Sequence, residues 1–283
     1  MEIKSCLTGK RGVSLPFTDY CEPVISNDIN FQDIFDSIIE WGKKAGWKYI
    51  EIRGGGNFCG NVPASDSYYG HYLDLRRDED EIFSRFRNST KRNIKKALNE
   101  GVEVEICNTL DSIKEFYRLN CLTRKRHGLP PQPYYFFQNI YDYVISKNYG
   151  TIVRASYERE TIAGAVYFHF GNKAIYKYGA SDNRFQQLRA NNLVMWEAIK
   201  YYCNNGYTNF SFGRTDLEHE GLRQFKSGWG TKEKTIKYYK YSLRKHAYLA
   251  NKESMFSFHT KVFRIMPVQV SKFIGKLLYQ HAG

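Results

Sequence analysis

The feature that most constrains this chain is a run of closely spaced strand signals in its second half. Between residues 150 and 181, three apolar segments, "TIVRASYE", "TIAGAVYFHF" and "KAIYKYGAS", are separated only by short polar turns such as "ERE" and "GNK". Upstream, "GVEVEIC" alternates as a strand. The following "TLDSIKEFYRLNCLTRKRHG" has Thr109 or Asp111 as N-cap and helical spacing at Ile113, Phe116, Tyr117 and Leu119. A proline-marked turn then leads into a second helix over "LPPQPYYFFQNIYDYVISKNYG". Downstream come the helix "NNLVMWEAIKYYCNNG", the strand "YTNFSFGR", a charged loop with a short helix over "TDLEHEGLRQFKSGWG", and a last strand near "TIKYYKY". Helices interleaved with strands in this way predict an α/β chain.

The order strand, two helices, three strands, helix, strand, short helix, strand resembles the GNAT acyltransferase fold. In that fold a mixed sheet splays open, and an acyl donor and its acceptor meet in the gap. The chain also repeats itself: "FQDIFDSIIEWGKKAGWKYIEIR" and "NNLVMWEAIKYYCNNGYTNFSFGR" both read as helix, glycine, aromatic residue and strand ending in arginine. Each is followed by a long loop and an aromatic strand, "YYGHYLDL" or "TIKYYKY". The expectation is a tandem duplication of GNAT-like units with the first incomplete. It divides the chain into residues 1–100, ending in a linking helix over 78–99, a complete unit over 101–242, and a tail over 243–283. The first unit would begin at its central strand, around "GVSLPFTDY", either because it is naturally cut down or because the start codon lies further upstream.

The linking segment "DEDEIFSRFRNSTKRNIKKALNEG" is acidic at its start and basic at its end, as the helix dipole favours. Phe83, Phe86, Thr90, Ile94 and Ala97 share one packing side, and Arg85, Arg92 and Lys96 lie opposite. These three are candidate phosphate-backbone contacts for a nucleic acid. The whole chain carries 42 Lys and Arg against 29 Asp and Glu, a formal charge of +13. Such a field attracts nucleic acid, anionic lipid or phosphorylated substrates. The six cysteines form no C-x-x-C pair and the seven histidines no H-E-x-x-H spacing, so neither a disulfide framework nor a metal site is expected. No apolar run approaches a membrane span and no signal-type core opens the chain, so a cytoplasmic location is expected.

Several segments together resemble the Fem family of non-ribosomal peptidyl transferases and the FemAB-like GNAT proteins of envelope polysaccharide systems. They are "NSTKRNIKKALNEGVEVEI", "YKYGASDNRFQQLRANNLVMWEAIKYYCNNGY", "FGRTDLEHEGLRQFKSGWG" and, near the start, "SLPFTDYCEP". The resemblance implies an aminoacyl-tRNA donor and a lipid-linked or nucleotide-linked peptidoglycan or other envelope precursor as acceptor, with no bound cofactor. It places Phe225 and Lys226 at the site, the lysine as the cation beside the reacting carbonyl and the phenylalanine as a stacking surface for the terminal adenine. By the same resemblance Tyr178 lies near the acceptor. An activated ester attacked directly by an amine needs no protein nucleophile. Its catalysis is alignment and oxyanion stabilisation.

The turn before the central helix, "SDNRFQQLRANN", has no glycine where coenzyme A-dependent GNAT enzymes cradle a pyrophosphate. This favours tRNA over acyl-coenzyme A, although Arg189 and Asn191 could still hold an anion. Arg126 and His127, ending the first helix of the second unit, and Arg214, ending a strand, complete the candidate substrate contacts. His127, Glu218 and His219 remain alternatives as a base. Two other readings stand beside the transferase: a coenzyme A-dependent N-acyltransferase in exopolysaccharide synthesis, and a non-catalytic module that binds RNA or envelope precursor. From Ser242 onward there are seven Lys and Arg and one Glu. After Pro267, Val270, Phe273, Ile274 and Leu277 form an apolar face opposite Lys272 and Lys276, a pattern suited to peripheral contact with an anionic membrane.

Overall fold

The structure, a computed structural model, describes residues 1–26, 30–250, 257–279 and 281, with backbone alone for residues 257–259. Eleven strands form one sheet: β1 (Glu2–Ser5), β2 (Gly9–Val13), β3 (Tyr49–Arg53), β4 (Asp66–Asp74), β5 (Glu103–Cys107), β6 (Gly150–Tyr157), β7 (Glu160–Phe170), β8 (Lys173–Ser181), β9 (Asn209–Asp216), β10 (Lys232–Ser242) and β11 (Ala247–Leu249). The order across it is β1-β2-β3-β10-β4-β9-β8-β7-β6-β5, with β11 added on β10. Neighbours are antiparallel except at β2–β3 and β8–β9. Ten helices accompany it among the described residues: α1 (Phe31–Ala45), α2 (Gly56–Cys59), α3 (Glu79–Ser84), α4 (Asn88–Asn99), α5 (Leu110–Arg126), α6 (Tyr134–Tyr143), α7 (Ala190–Asn204), α8 (Glu220–Ser227), α9 (Ser257–Ile265) and α10 (Val268–Tyr279). This is the GNAT-like mixed sheet with flanking helices that the element order predicts.

The meander β6–β8 is apolar at successive positions because both its faces are covered. Val153 packs with Ile94, Ala97 and Leu193 under α4 and α7, whereas its neighbour Ile152 packs with Ile113, Phe116 and Phe137 under α5 and α6. A third cluster joins Phe35 and Ile39 of α1 to Ile50 and Ile52 of β3 and Tyr239 of β10. Of the two predicted caps for α5, Thr109 is the one used: its side chain accepts from the Ser112 amide at 3.2 Å.

The strands adjoining the two similar helix-glycine-strand segments are exchanged. β3 pairs with β10, and β9 pairs with β4, both antiparallel. β4, from residues 1–100, thus lies between β9 and β10 of residues 101–242, so residue 100 does not separate two sheets.

Two local expectations differ from the structure. The linking helix over 78–99 is broken into α3 and α4, with Arg85 ending the first and Arg87, in extended conformation, beginning the second. Phe86 causes the break. Its ring is locked between Trp196, centroid 5.4 Å away, and Trp229 at 5.0 Å, while the Arg87 amide donates to Gly228 O at 2.9 Å. Near the start, the strand is Gly9–Val13, paired in a hairpin with Glu2–Ser5. "SLPFTDYCEP" is not a strand: Phe17 has a φ of 62° and Pro16 has no amide to donate to a ladder. In the tail, Lys252 and Glu253 lie outside the described residues. α9 and α10 both pack against α5.

Candidate active site

The site arises where the sheet stops being a sheet. β8 and β9 pair in parallel only over Lys173–Ile175 with Asn209–Ser211, and past these residues they separate. A cavity of about 480 Å³ occupies the gap. Its walls are Tyr176 to Ser181 of β8 without Tyr178, Phe212 to Arg214 of β9, the end of α5, the first turns of α7, and α8.

Lys226 enters this space from α8. The residue is only 3% exposed, and its Nζ donates to Arg214 O at 2.8 Å and Gly213 O at 3.2 Å. Burial lowers its pKa to about 8, and Arg214 pushes the same way against the carboxylates of Asp19 and Asp216. The ammonium is therefore poised near neutrality. Gly213 has to be glycine here: its φ is +70°, and a Cβ would lie 2.8 Å from Asp19 Oδ2. Phe225 lines the cavity beside Lys226, half-buried with its ring 5.9 Å from that of Trp229.

Behind Lys226 sits His71 of β4, fully buried. Burial, and then the Lys226 charge, lower the pKa of its imidazole, against Glu233, whose Oε2 lies 3.2 Å from Nε2. Glu233 is gripped by Arg223 through two 2.8 Å bonds, and the Arg223 guanidinium stacks 3.9 Å over Tyr69. This series of contacts braces α8 against β4 and β10.

Of the residues singled out in the sequence, Arg126, His127, Asn191, Arg214, Phe225 and Lys226 come together around the cavity. Arg126 donates to Asn183 Oδ1 at 3.1 Å, and Asn191 donates to Ser181 Oγ at 3.1 Å. Arg214 donates to the Tyr238 hydroxyl at 2.9 Å and lies 4.3 Å over the Tyr68 ring. The His127 pKa is lowered, first by desolvation of its ring and then by the charges of Arg126, His219 and Arg124. His219 uses its Nδ1 to accept the Leu222 amide as the cap of α8, and Glu218 is exposed outside the cavity.

Five of the predicted contact residues lie elsewhere. Tyr178 does not line the cavity. A β-bulge puts Lys177 as an extra residue between the pairs Tyr167–Tyr176 and Val166–Tyr178, so the two tyrosines face opposite layers. The Tyr178 ring packs among Phe136, Phe137 and Phe168, and burial raises its hydroxyl pKa. Arg189 is exposed, begins α7 in left-handed conformation (φ 59°), and does not line the cavity. Arg92 and Lys96 stay together on α4, in a shallow surface depression with Lys95 and Asn99. Arg85 is separated from them by the helix break and pairs with Glu81 at 2.8 Å.

Sequence reading missed Asp19 and Lys177. Asp19 reaches the cavity from the segment after β2, with Oδ2 3.4 Å from the Arg214 amide and Oδ1 3.7 Å from Lys177 Nζ. Burial lowers the Lys177 pKa while Asp19 opposes the shift. The Asp19 carbonyl accepts from the Tyr238 hydroxyl at 2.8 Å, and the Phe17 carbonyl from Lys177 at 2.7 Å. Nothing in the local sequence around Asp19 announces a partner 158 positions further along the chain.

The acetyltransferase (GNAT) domain family matches residues 84–227. The lipid II:glycine glycyltransferase of Staphylococcus epidermidis is 23% identical over 224 residues, and that of Staphylococcus aureus 22% over 229. Each match covers 56% of this chain and 54% of the relative, so the chain spans about half the length of the curated relatives it matches. Among solved structures, FemX superposes with a TM-score of 0.62 at 18% identity, covering 80% of this chain and 81% of FemX. L-PGS from Bacillus licheniformis gives 0.51 at 12% identity, covering 82% and 77%. These two likenesses are of fold.

Proposed function

Because this chain belongs to the GNAT acetyltransferase-domain family, in its FemAB-like branch, we propose that it transfers an aminoacyl group from its tRNA ester to an amine of a cell-envelope precursor. The observation that carries this reading is Lys226: a buried ammonium in the wall of a cavity opened by the sheet itself, with no nucleophile required beside it. The curated relatives are named for glycine transfer on lipid II, which favours a lipid-linked acceptor.

The amine nitrogen attacks the ester carbonyl carbon, and the negative charge that collects on the carbonyl oxygen is stabilised by Lys226. As the tetrahedral species collapses, the new C–N bond remains and the C–O bond to the ribose breaks. The proton shed by the nitrogen ends on the departing ribose oxygen. Holding the two reactants together in the cavity lowers the barrier by about 7–11 kcal/mol. A preorganised cation at the oxyanion adds roughly 3 kcal/mol. Phe225, braced by Trp229, offers an aromatic face to the terminal adenine, and Arg92 and Lys96 on α4 offer contacts to the tRNA backbone.

The match to an acetyltransferase domain favours acyl-coenzyme A as the second reading of the donor, with Asn191 in the first turn of α7 facing the cavity. Purified protein offered charged tRNA and acyl-coenzyme A in parallel separates the two. Product formation abolished by ribonuclease is the expected result. Ribonuclease-insensitive transfer from the thioester would replace tRNA as donor. Precursor binding without either transfer would leave a binding module. The proposed location is cytoplasmic, where charged tRNA is supplied.

A further inference from the structure

The last two helices present their bulky apolar side chains to solvent beside the cavity. α10 is docked by its small side: Ser271 and Gly275 are buried, and a Cβ on Gly275 would collide with the Pro131 carbonyl oxygen. On that same side Tyr279 stacks on Phe17 at 5.4 Å and contacts Phe136 at 5.0 Å. At about 100° per residue, Val270, Phe273 and Leu277 project away from this docked side. Phe273 is 64% exposed, and in α9 Ile265 is 84% exposed, with Val262 beside it also exposed. A helix stabilised only by its own fold would turn such residues inward, because burial of apolar area is the main stabilising term.

The charged residues of these two helices have one sign over residues 260–279. Lys261, Arg264 and Lys276 are all exposed, and none pairs with a carboxylate among the described residues. The net charge of +13 extends the same field. The surface also adjoins the cavity: Gly128, the residue after His127, is pressed so closely on the Thr260 backbone of α9 that it has no room for a Cβ.

We infer that Val262, Ile265, Val270, Phe273 and Leu277, edged by Lys261, Arg264 and Lys276, dock this chain on an anionic phospholipid bilayer. Apolar side chains enter between the headgroups while the surrounding cations meet the lipid phosphates. Charge complementarity decides for lipid. The contact places the rim at Arg126 and His127 beside the headgroup layer, where an acceptor carried on a lipid can enter without leaving the membrane. The docking itself does not rest on the transfer reading, since it is measured without any turnover.

The test is co-sedimentation of the full chain with phosphatidylcholine vesicles, with and without phosphatidylglycerol. Binding to the anionic vesicles that weakens with salt is expected. Ile265→Gln/Phe273→Gln/Leu277→Gln and Lys261→Glu/Arg264→Glu/Lys276→Glu should each lower it at least about tenfold. All six positions are exposed, so melting temperature should stay at the wild-type value. Hydrogen exchange on the unmodified chain should show vesicle-induced protection concentrated in residues 257–279. Absence of binding to phosphatidylglycerol vesicles, equal binding by both variants, or protection located elsewhere would overturn the inference. So would a wild-type dimer that Phe273→Gln dissolves, because the surface would then belong to a second copy of this chain.

Discussion

The sheet contains two parallel junctions, and they end differently. At β2–β3 only two residue pairs form, and the gap beyond them is closed by the segment 14–23. The Ser14 amide donates to Glu51 O at 2.9 Å, the Cys21 amide to Arg53 O at 2.6 Å, and the Tyr20 ring covers Gly54. The arginine that ends β3 is buried and committed to Glu51 at 2.8 Å. At β8–β9 three pairs form, and the gap remains a cavity with a buried lysine in its wall. Similar helix-glycine-strand segments thus produce a filled junction and an open one. What separates them is which distant segment reaches the splay. The segment that closes the first junction also delivers Asp19 to the second.

The largest expected break in this comparison comes at the open junction. Lys226→Ala should lower turnover about 10²–10³-fold through loss of the oxyanion cation, measured by single-turnover transfer, with the melting temperature little changed. At the closed junction the same kind of deletion should act on stability instead. Arg53→Met removes the cation 2.8 Å from buried Glu51 and leaves it the longer pairing with Lys240 at 3.6 Å. It should cost about 3 kcal/mol in denaturant unfolding, while binding at the β8–β9 cavity survives in the folded fraction.

Next comes the pH profile. The Lys226 pKa is lowered to about 8, so the charged form predominates below that pH and is lost above it. Transfer that needs the cation should therefore decline as pH rises through about 8. Asp19→Asn removes a carboxylate that favours the charged lysine and should move the decline to lower pH. An unmoved limb would detach Asp19, and with it the shared segment, from the chemistry of the open site. The smallest effect is expected at Phe225→Leu, which should weaken donor binding by about 1–3 kcal/mol through lost stacking and leave the first junction untouched. If tRNA affinity is unaffected, the adenine does not sit on this ring.

Much of this was legible in sequence. Periodicity located the β6–β8 meander and the packing side of α4 and narrowed the cap of α5 to Thr109 or Asp111, because each depends on residues within a turn or two of one another. The resemblance to the Fem family, not the local pattern, directed attention to Phe225 and Lys226, and both line the cavity. The misplacements share one cause. Tyr178 is sent to the far layer by a single extra residue in β8, which changes pairing without changing pattern. Arg85 leaves the α4 ridge because Phe86 finds two tryptophans more than a hundred positions later. Asp19 joins the site through a turn that reads locally as a strand.

The sequence alone determined the helix or strand character of segments such as α1, α5, α7 and β6–β8, since apolar spacing and capping act over a few residues. Tertiary structure decided which strand ends separate, what fills each separation, and how far Lys226 is held from water. Those outcomes depend on pairings across the whole chain: β4 set between β9 and β10, and the segment 14–23 laid across two strand ends. Burial by such partners, rather than any local motif, gives a lysine a pKa near 8.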